Sequence, residues 1–243
     1  MTTPALSTGP FQRIDAVVFD LDDTLFDTTG QLMEPAHREA AQAMIDAGLE
    51  APLEALVTMR LELGRARVGE DTNVLVAQAW GHAADSPVVE AGRSTYFKRR
   101  IESLDPFPGT LPLLSTLQDR CRLLLMTTGD PGTQRTKVHL LGIAQYFVDM
   151  VFVPLDQGNK HAAMRSLLRF HALDAGRVVV IGDRLDREIE AGRRLGTWTV
   201  RMARGEGGNA QPRGPLQQPH YSIDHIEAVA LVLEDIDTGE DTP

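Results

Sequence analysis

Two aspartates separated by one residue, Asp20 and Asp22, follow directly on the apolar run Ala16-Val17-Val18-Phe19, and Thr24 lies two residues further on. In an extended chain the side chains of residues i and i+2 point the same way, so both carboxylates would face one site. Two such charges repel by roughly 1 to 4 kcal/mol at about 4 Å, depending on the local dielectric. A fold keeps them together where a divalent cation or a lysine compensates. Read alone, the motif is also that of a strand ending in a turn-forming Asp cluster. The rest of the chain separates the two readings.

Other polar clusters sit in equivalent places. The run Leu123 to Met126 ends in Thr127-Thr128-Gly129-Asp130, and Val178 to Ile181 ends in Gly182-Asp183-Arg184-Leu185-Asp186-Arg187-Glu188. Lys160 stands in Gly158-Asn159-Lys160, just ahead of a helical pattern. In an open parallel sheet, ligands bind beyond the carboxyl ends of the strands, where these clusters would fall. The reaction that needs such a set is attack on a phosphate ester, whose negative charge repels an anionic nucleophile until cations screen it. Asp20 is the candidate nucleophile. A hard cation, Mg²⁺, would take the carboxylates of Asp20 and Asp183, a backbone carbonyl at Asp22 and water. Lys160 would supply fixed positive charge, and Thr127 with the backbone N–H groups of Thr128 and Gly129 would hold phosphate oxygens. Asp22 is left to protonate the leaving oxygen and later activate water.

Each of these residues has a plainer reading when taken singly. Thr127 could be an ordinary strand-end hydroxyl, Lys160 a solvated lysine, and Asp183 a helix N-cap. Arg65 and Arg67, flanked by Gly64 and Gly69, could reach an anionic part of a substrate or belong to a solvated loop. Trp80, Tyr96 and Phe97 are expected in a helical core, and Cys121 as a small buried residue.

The elements that must position these groups form a recognisable order. Short β-branched or apolar runs at Ala16 to Phe19, Leu123 to Met126, Met150 to Val153, Val178 to Ile181 and Thr197 to Val200 alternate with helical patterns at Leu111 to Asp119, Gln134 to Leu141, His161 to Phe170 and Arg187 to Leu195. A strand at Tyr221 to Ile223 and a helix from His225 to Glu234 complete the series. This is an α/β pattern, predicting a doubly wound, mostly parallel sheet. Residues 31–105 break it with helical spacing alone, punctuated by Gly48, Pro52, Gly64, Gly69 and Pro87. They are expected to form an inserted helical cap, a lid entered just past the Asp pair, with residues 14–30 and 106–236 as the core domain. Residues 1–13 and 237–243 read as tails, and Gly205, Gly207 and Gly208 as part of a surface loop.

The 243 residues carry a formal charge of −10 with no basic stripe, which argues against nucleic acid or an anionic membrane as partner. One cysteine excludes an intrachain disulfide framework and a Cys-rich zinc site. The seven histidines lack metal-ligand spacing, and no apolar run approaches the roughly 18 residues of a membrane span. The chain reads as a soluble, cytoplasmic protein acting on a small-molecule phosphate ester, with a homodimer among the compatible assemblies.

The ordered set Asp20-x-Asp22-x-Thr24, then Thr127, Lys160, and Gly182-Asp183 with an acid five residues on, resembles the haloacid dehalogenase-like (HAD) hydrolase superfamily over roughly Ile14 to Arg201. The resemblance implies a Rossmann-like core, a C1-type helical cap, Mg²⁺ dependence, and an aspartyl-phosphate on Asp20 with Asp22 as general acid and base. Within that family an aspartate two residues after the nucleophile marks phosphatases and phosphotransferases. The chain departs from the family's habits where His161 follows Lys160, where Thr128 replaces a frequent asparagine, and where Glu188 stands for an aspartate. Asp186 is the alternative to Glu188 in the outer metal shell. Phosphotransferase or phosphomutase activity, a phosphoacceptor regulatory module and a non-catalytic binding protein are the competing readings. The substrate's identity is not spelled out by the cap residues.

Overall fold

A computed structural model describes residues 9–66, 70–98, 100–154, 160–205, 208–239 and 242–243. Arg67 lies outside them, as do residues 1–8 of the expected N-terminal tail, Gly207, and residues 240 and 241. The chain divides into two compact units, Met1–Asp27 with Ser103–Pro243, and Thr28–Glu102.

The first unit is built on a six-stranded sheet whose paired strands are all parallel. The strands are β1 (Ala16–Phe19), β2 (Arg122–Thr128), β3 (Asp149–Val153), β4 (Val178–Gly182), β5 (Trp198–Met202) and β6 (Tyr221–Ile223). Their order is β3-β2-β1-β4-β5-β6, so the chain starts in the middle and winds outward in both directions. β1 is apolar at every position because a parallel sheet is covered on both faces. Ala16, Val18, Leu124, Met126, Val178 and Val180 pack on one face against Met164, Leu167, Leu168 and Ala191. The alternate residues Val17, Phe19, Leu123, Leu125, Val179 and Ile181 are equally buried.

The helices in chain order are α1 (Glu34–Asp46), α2 (Leu53–Ala66), α3 (Thr72–Ala79), α4 (Pro87–Lys98), α5 (Thr110–Leu117), α6 (Pro131–Leu140), α7 (Lys160–Phe170), α8 (Glu190–Leu195) and α9 (Ala228–Thr238). A π-helical turn at Leu185–Ile189 precedes α8, where the sequence pattern predicts a continuous helix from Arg187. α1 to α4 belong to the second unit, whose core contains Ala41, Met44, Leu49, Leu56, Val57, Val76, Ala77, Val88 and Val89. Arg60 is buried among them, donating to Met44 Sδ at 3.0 Å and to Asn73 Oδ1 at 3.0 Å. Burial pushes its guanidinium down to about 10. The expectation that Trp80 and Phe97 lie in this core is wrong: Phe97 is 73% exposed and Trp80 is also exposed. α4 turns Val88, Val89 and Gly92 inward, which leaves Phe97 on its outer side.

Candidate active site

The register of the three central strands carries the polar clusters to one rim. Phe19 is level with Leu125 on β2 and with Ile181 on β4. Asp20, Thr127 and Asp183 therefore leave adjacent strands within two residues of the same level. The Asp20 N–H extends the ladder by donating to the Ile181 carbonyl at 2.9 Å. The chain then turns sharply: Leu25 N–H donates to the Leu21 carbonyl at 3.0 Å, and Asp23 takes a left-handed φ of 52°.

Asp20, Lys160, Asp183, Glu188 and Thr127 are all buried. Lys160, the first residue of α7, donates from Nζ to Asp20 Oδ1 at 2.5 Å and is also paired with Glu188. Glu188 uses its second oxygen to accept the Arg184 backbone N–H at 3.1 Å. Gly182 makes this possible, because a Cβ there would lie 2.4 Å from Glu188 Cγ. Asp186, the competing acid, has a side chain that is 57% exposed and lies beside Arg184. Glu188 is thus the buried acid that meets Lys160. Asp183 does not cap the turn that follows it: Arg184 holds the N-cap position, with no side-chain cap.

The electrostatics follow from burial. Burial opposes charge on Lys160, but the neighbouring Asp20 and Glu188 carboxylates outweigh it and hold its ammonium above the usual lysine range. Burial raises Asp20 to about 7; Glu188 and Asp22 push the same way, and Lys160 pulls against them. Asp183 is pushed well above the carboxylate range by burial and by Glu188, Asp20 and Asp23. The site therefore gathers more buried carboxylate than Lys160 neutralises. Hard oxygen donors with excess negative charge are the chemistry a Mg²⁺ ion fits. Magnesium is ordinarily held by one or two carboxylates, waters and phosphate oxygens, not by an all-protein cage. Among the described residues no three His, Cys, Asp or Glu side chains converge into such a cage.

Two residues that sequence reasoning missed complete the arrangement. Gln134 and Lys137, on α6, both reach Asp22. Gln134 Nε2 donates to Asp22 Oδ2 at 2.8 Å and to Thr127 Oγ1 at 2.6 Å, and Lys137 Nζ donates to Asp22 Oδ1 at 2.7 Å. Asp20 and Asp22 consequently have different partners, although the Asp22 charge bears on Asp20.

Other expected contacts are rearranged. The Gly129 N–H, expected to face a phosphate, donates to the Val153 carbonyl at 2.9 Å and prolongs the β2–β3 ladder. The first turn of α6 is capped by Asp130, whose Oδ1 accepts the Thr133 N–H at 2.8 Å. Thr128 ends β2, level with Val153. Arg65 lies on α2, in the other unit.

A parallel sheet that collects buried carboxylates beyond its central strands and meets them with a lysine from the start of a helix, with a helical segment inserted after the first strand, defines a class of hydrolase. The chain belongs to the haloacid dehalogenase-like hydrolase family, which it matches over residues 14–196. It is 30% identical over 232 residues to a glyceraldehyde 3-phosphate phosphatase of Methanopyrus kandleri, covering 92% of this chain and 98% of the relative. It is 25% identical over 243 residues to the N-acylneuraminate-9-phosphatase of Rattus norvegicus, with 93% and 96% covered. In fold it is similar to the HAD-hydrolase YfnB of Bacillus subtilis, solved bound to magnesium, with a TM-score of 0.66, 21% identity, and 91% and 99% of the two chains covered. Among the described residues no helix is long and apolar enough to cross a membrane.

Proposed function

We propose that this hydrolase is a Mg²⁺-dependent phosphatase of a small phosphorylated metabolite, acting through an aspartyl-phosphate on Asp20. The observation that carries the reading is the buried contact of Lys160 with Asp20 at 2.5 Å, within a group of carboxylates that Lys160 alone leaves over-negative. Asp20 and Asp183, with the Asp22 backbone carbonyl, are the groups that would hold the ion. When bound, Mg²⁺ supplies the positive charge that lets a carboxylate meet a phosphate dianion.

The chain's own residues do the remaining work. Lys160 draws Asp20 toward its ionised, nucleophilic form. Asp20 attacks phosphorus, the ester P–O bond breaks, and the departing oxygen takes its proton from Asp22. Asp22, now a carboxylate, removes a proton from water, which attacks the same phosphorus and frees Asp20 and inorganic phosphate. Thr127, whose Oγ1 accepts from Gln134 Nε2 at 2.6 Å, would bond a phosphate oxygen. The relatives named as phosphatases of glyceraldehyde 3-phosphate and of an N-acylneuraminate 9-phosphate support phosphorylated sugars and sugar-derived acids as the substrate class.

A panel of phosphorylated three- to nine-carbon sugars and acids, assayed with Mg²⁺, tests the class. Asp20→Asn is expected to abolish turnover. Asp22→Asn is expected to accumulate a hydroxylamine-labile phosphoenzyme from p-nitrophenyl phosphate. An Asp20→Asn protein with full activity would overturn the mechanism.

A further inference from the structure

Asp22 is held by two side chains from one helix face. Gln134 and Lys137 are three residues apart on α6, so both project to the same side. Both are buried, which is uncommon for a lysine and calls for a partner. That partner is Asp22, whose two carboxyl oxygens are taken separately: Oδ1 by Lys137 Nζ at 2.7 Å and Oδ2 by Gln134 Nε2 at 2.8 Å. The Gln134 amide also reaches Thr127 Oγ1 at 2.6 Å, and Gly129 leaves room for it, since a Cβ there would lie 3.0 Å from Gln134 Cδ. Lys137 is steadied in turn over the Phe26 ring, 5.9 Å from its centroid.

We propose that Lys137 and Gln134 are positioning residues that fix the carboxyl of Asp22 in one orientation for proton transfer to the leaving oxygen, Gln134 tying that orientation to Thr127. The inference rests on the reading of Asp22 as general acid given above. An Asp side chain with two free torsions samples several rotamers, and proton transfer demands hydrogen-bond reach of one oxygen. Two donors converging from a rigid helix remove that freedom. Each Asp22 oxygen that accepts one of these bonds keeps a second lone pair, and the transferable proton is held on one of those. When the ester bond breaks, its electron pair goes to the leaving oxygen and that proton follows. The new carboxylate then lies beside an ammonium already in place, so no group has to move to stabilise it. The plainer account is that Lys137 merely pairs a charge for stability. Asp22 has a side chain 28% exposed, so water can replace that pairing, and the two accounts differ in what they predict for chemistry.

The leaving group separates them. A good leaving group departs without a proton and a poor one does not, and kcat/KM covers the steps up to its departure. Wild type, Lys137→Met, Lys137→Arg, Gln134→Leu and Asp22→Asn are assayed with p-nitrophenyl phosphate, phenyl phosphate and 4-methylphenyl phosphate, with thermal midpoints recorded for each. Lys137→Met is expected to lose about 30-fold or more in kcat/KM on the two poor leaving groups but less than about 3-fold on p-nitrophenyl phosphate, a partial loss of the ~10²–10⁴-fold that general acid catalysis contributes. Gln134→Leu should steepen the series in the same way and also weaken inhibition by inorganic phosphate, through Thr127. Lys137→Arg, which keeps a donor, should restore most of the loss. If Asp22→Asn steepens the series while Lys137→Met and Gln134→Leu keep the wild-type dependence, the positioning role is overturned and the reading of Asp22 stands. If Asp22→Asn itself shows the wild-type dependence, both fall. A uniform loss on all three esters that tracks a lowered thermal midpoint overturns the proposal in favour of a structural role.

Discussion

Replacing Lys160 by methionine isolates the interaction on which the site's charge balance turns. Its Nζ lies 2.5 Å from Asp20 Oδ1 and is also paired with Glu188, all three side chains being nearly inaccessible to water. With charge centres about 4 Å apart and an effective dielectric near 20, each contact is worth roughly 4 kcal/mol before the cost of burying the ammonium is subtracted. Removing one partner from a buried pair leaves uncompensated charge and typically costs about 3–5 kcal/mol. Here two carboxylates would be left facing each other, since the Glu188 charge already bears on Asp20. Adding Glu188→Gln to Lys160→Met removes that repulsion and keeps an oxygen for the Arg184 N–H. The double variant should therefore recover about 1–2 kcal/mol relative to Lys160→Met, the coupling expected of groups in direct contact. Urea unfolding with a chelator present measures it. In a Trp80→Phe background, fluorescence reports Trp198 on β5, in the same unit as the site. A double variant no more stable than Lys160→Met would refute the charge-balance argument.

Two other perturbations test the packing beneath the site and the unit inserted after it. A Cβ at Gly92 would stand 2.8 Å from Asn73 Oδ1 and from Met44 Cγ, so Gly92→Ala should destabilise the α1–α4 unit by about 1–3 kcal/mol, read as earlier loss of helix signal in thermal denaturation. An unchanged transition would show that these side chains yield freely. His220 is pushed down to about 4, chiefly by burial and then by the Arg193 charge, while its Nδ1 accepts the Thr199 N–H at 3.0 Å. The unfolded chain takes up this proton near pH 6.5 and the folded chain only near pH 4. Its contribution is accordingly complete above about pH 6.5 and is lost as pH falls toward 4; solvent screening of this half-buried ring keeps it on the order of 1 to 2 kcal/mol. His220→Gln should flatten the stability–pH curve in that window, and equal slopes for the two proteins would contradict the assignment.

How much of this was legible in the residues depends on which signal carried it. The run Ala16 to Phe19 coincides with β1, because a strand buried on both faces must be apolar throughout. Tyr221 to Ile223 coincides with β6, an edge strand whose Ser222 is exposed and whose Ile223 is buried. β2 extends past its apolar run to Thr128, since Thr127 and Thr128 still pair with Phe152 and Val153 on β3; hydrophobicity cannot report a ladder that continues through polar residues. The helix read from Arg187 begins instead as a π-helical turn at Leu185, and that turn holds Glu188, which reaches Lys160. Irregular helical turns of this kind concentrate at functional sites, and propensity carries no sign of them. Phe97 misled because its size suggested burial, whereas the phase of α4 is set by Val88, Val89 and Gly92; Trp80 lies at the C-terminal cap of α3, past the helix's buried Val76 and Ala77.

The site shows the same division. The approach of Asp20 and Asp183 was legible because strand ends mark one rim, a one-dimensional signal that the parallel topology turns into proximity; Lys160 opens α7 and was legible separately, from its place ahead of a helical pattern. Gln134 and Lys137 were not, for a physical reason. In a sequence, a glutamine and a lysine three apart on a helix describe a solvated face, and only the docking of α6 against the turn after β1 converts that face into a buried one. The weak signal available was a negative one: α6 must bury some face against the sheet, and its apolar residues are too few to supply it, so part of that face had to be polar and therefore partnered. A buried polar residue on a helix that follows a site-bearing strand is thus itself evidence about the site, because the low-dielectric interior tolerates it only where the site answers its hydrogen bonds.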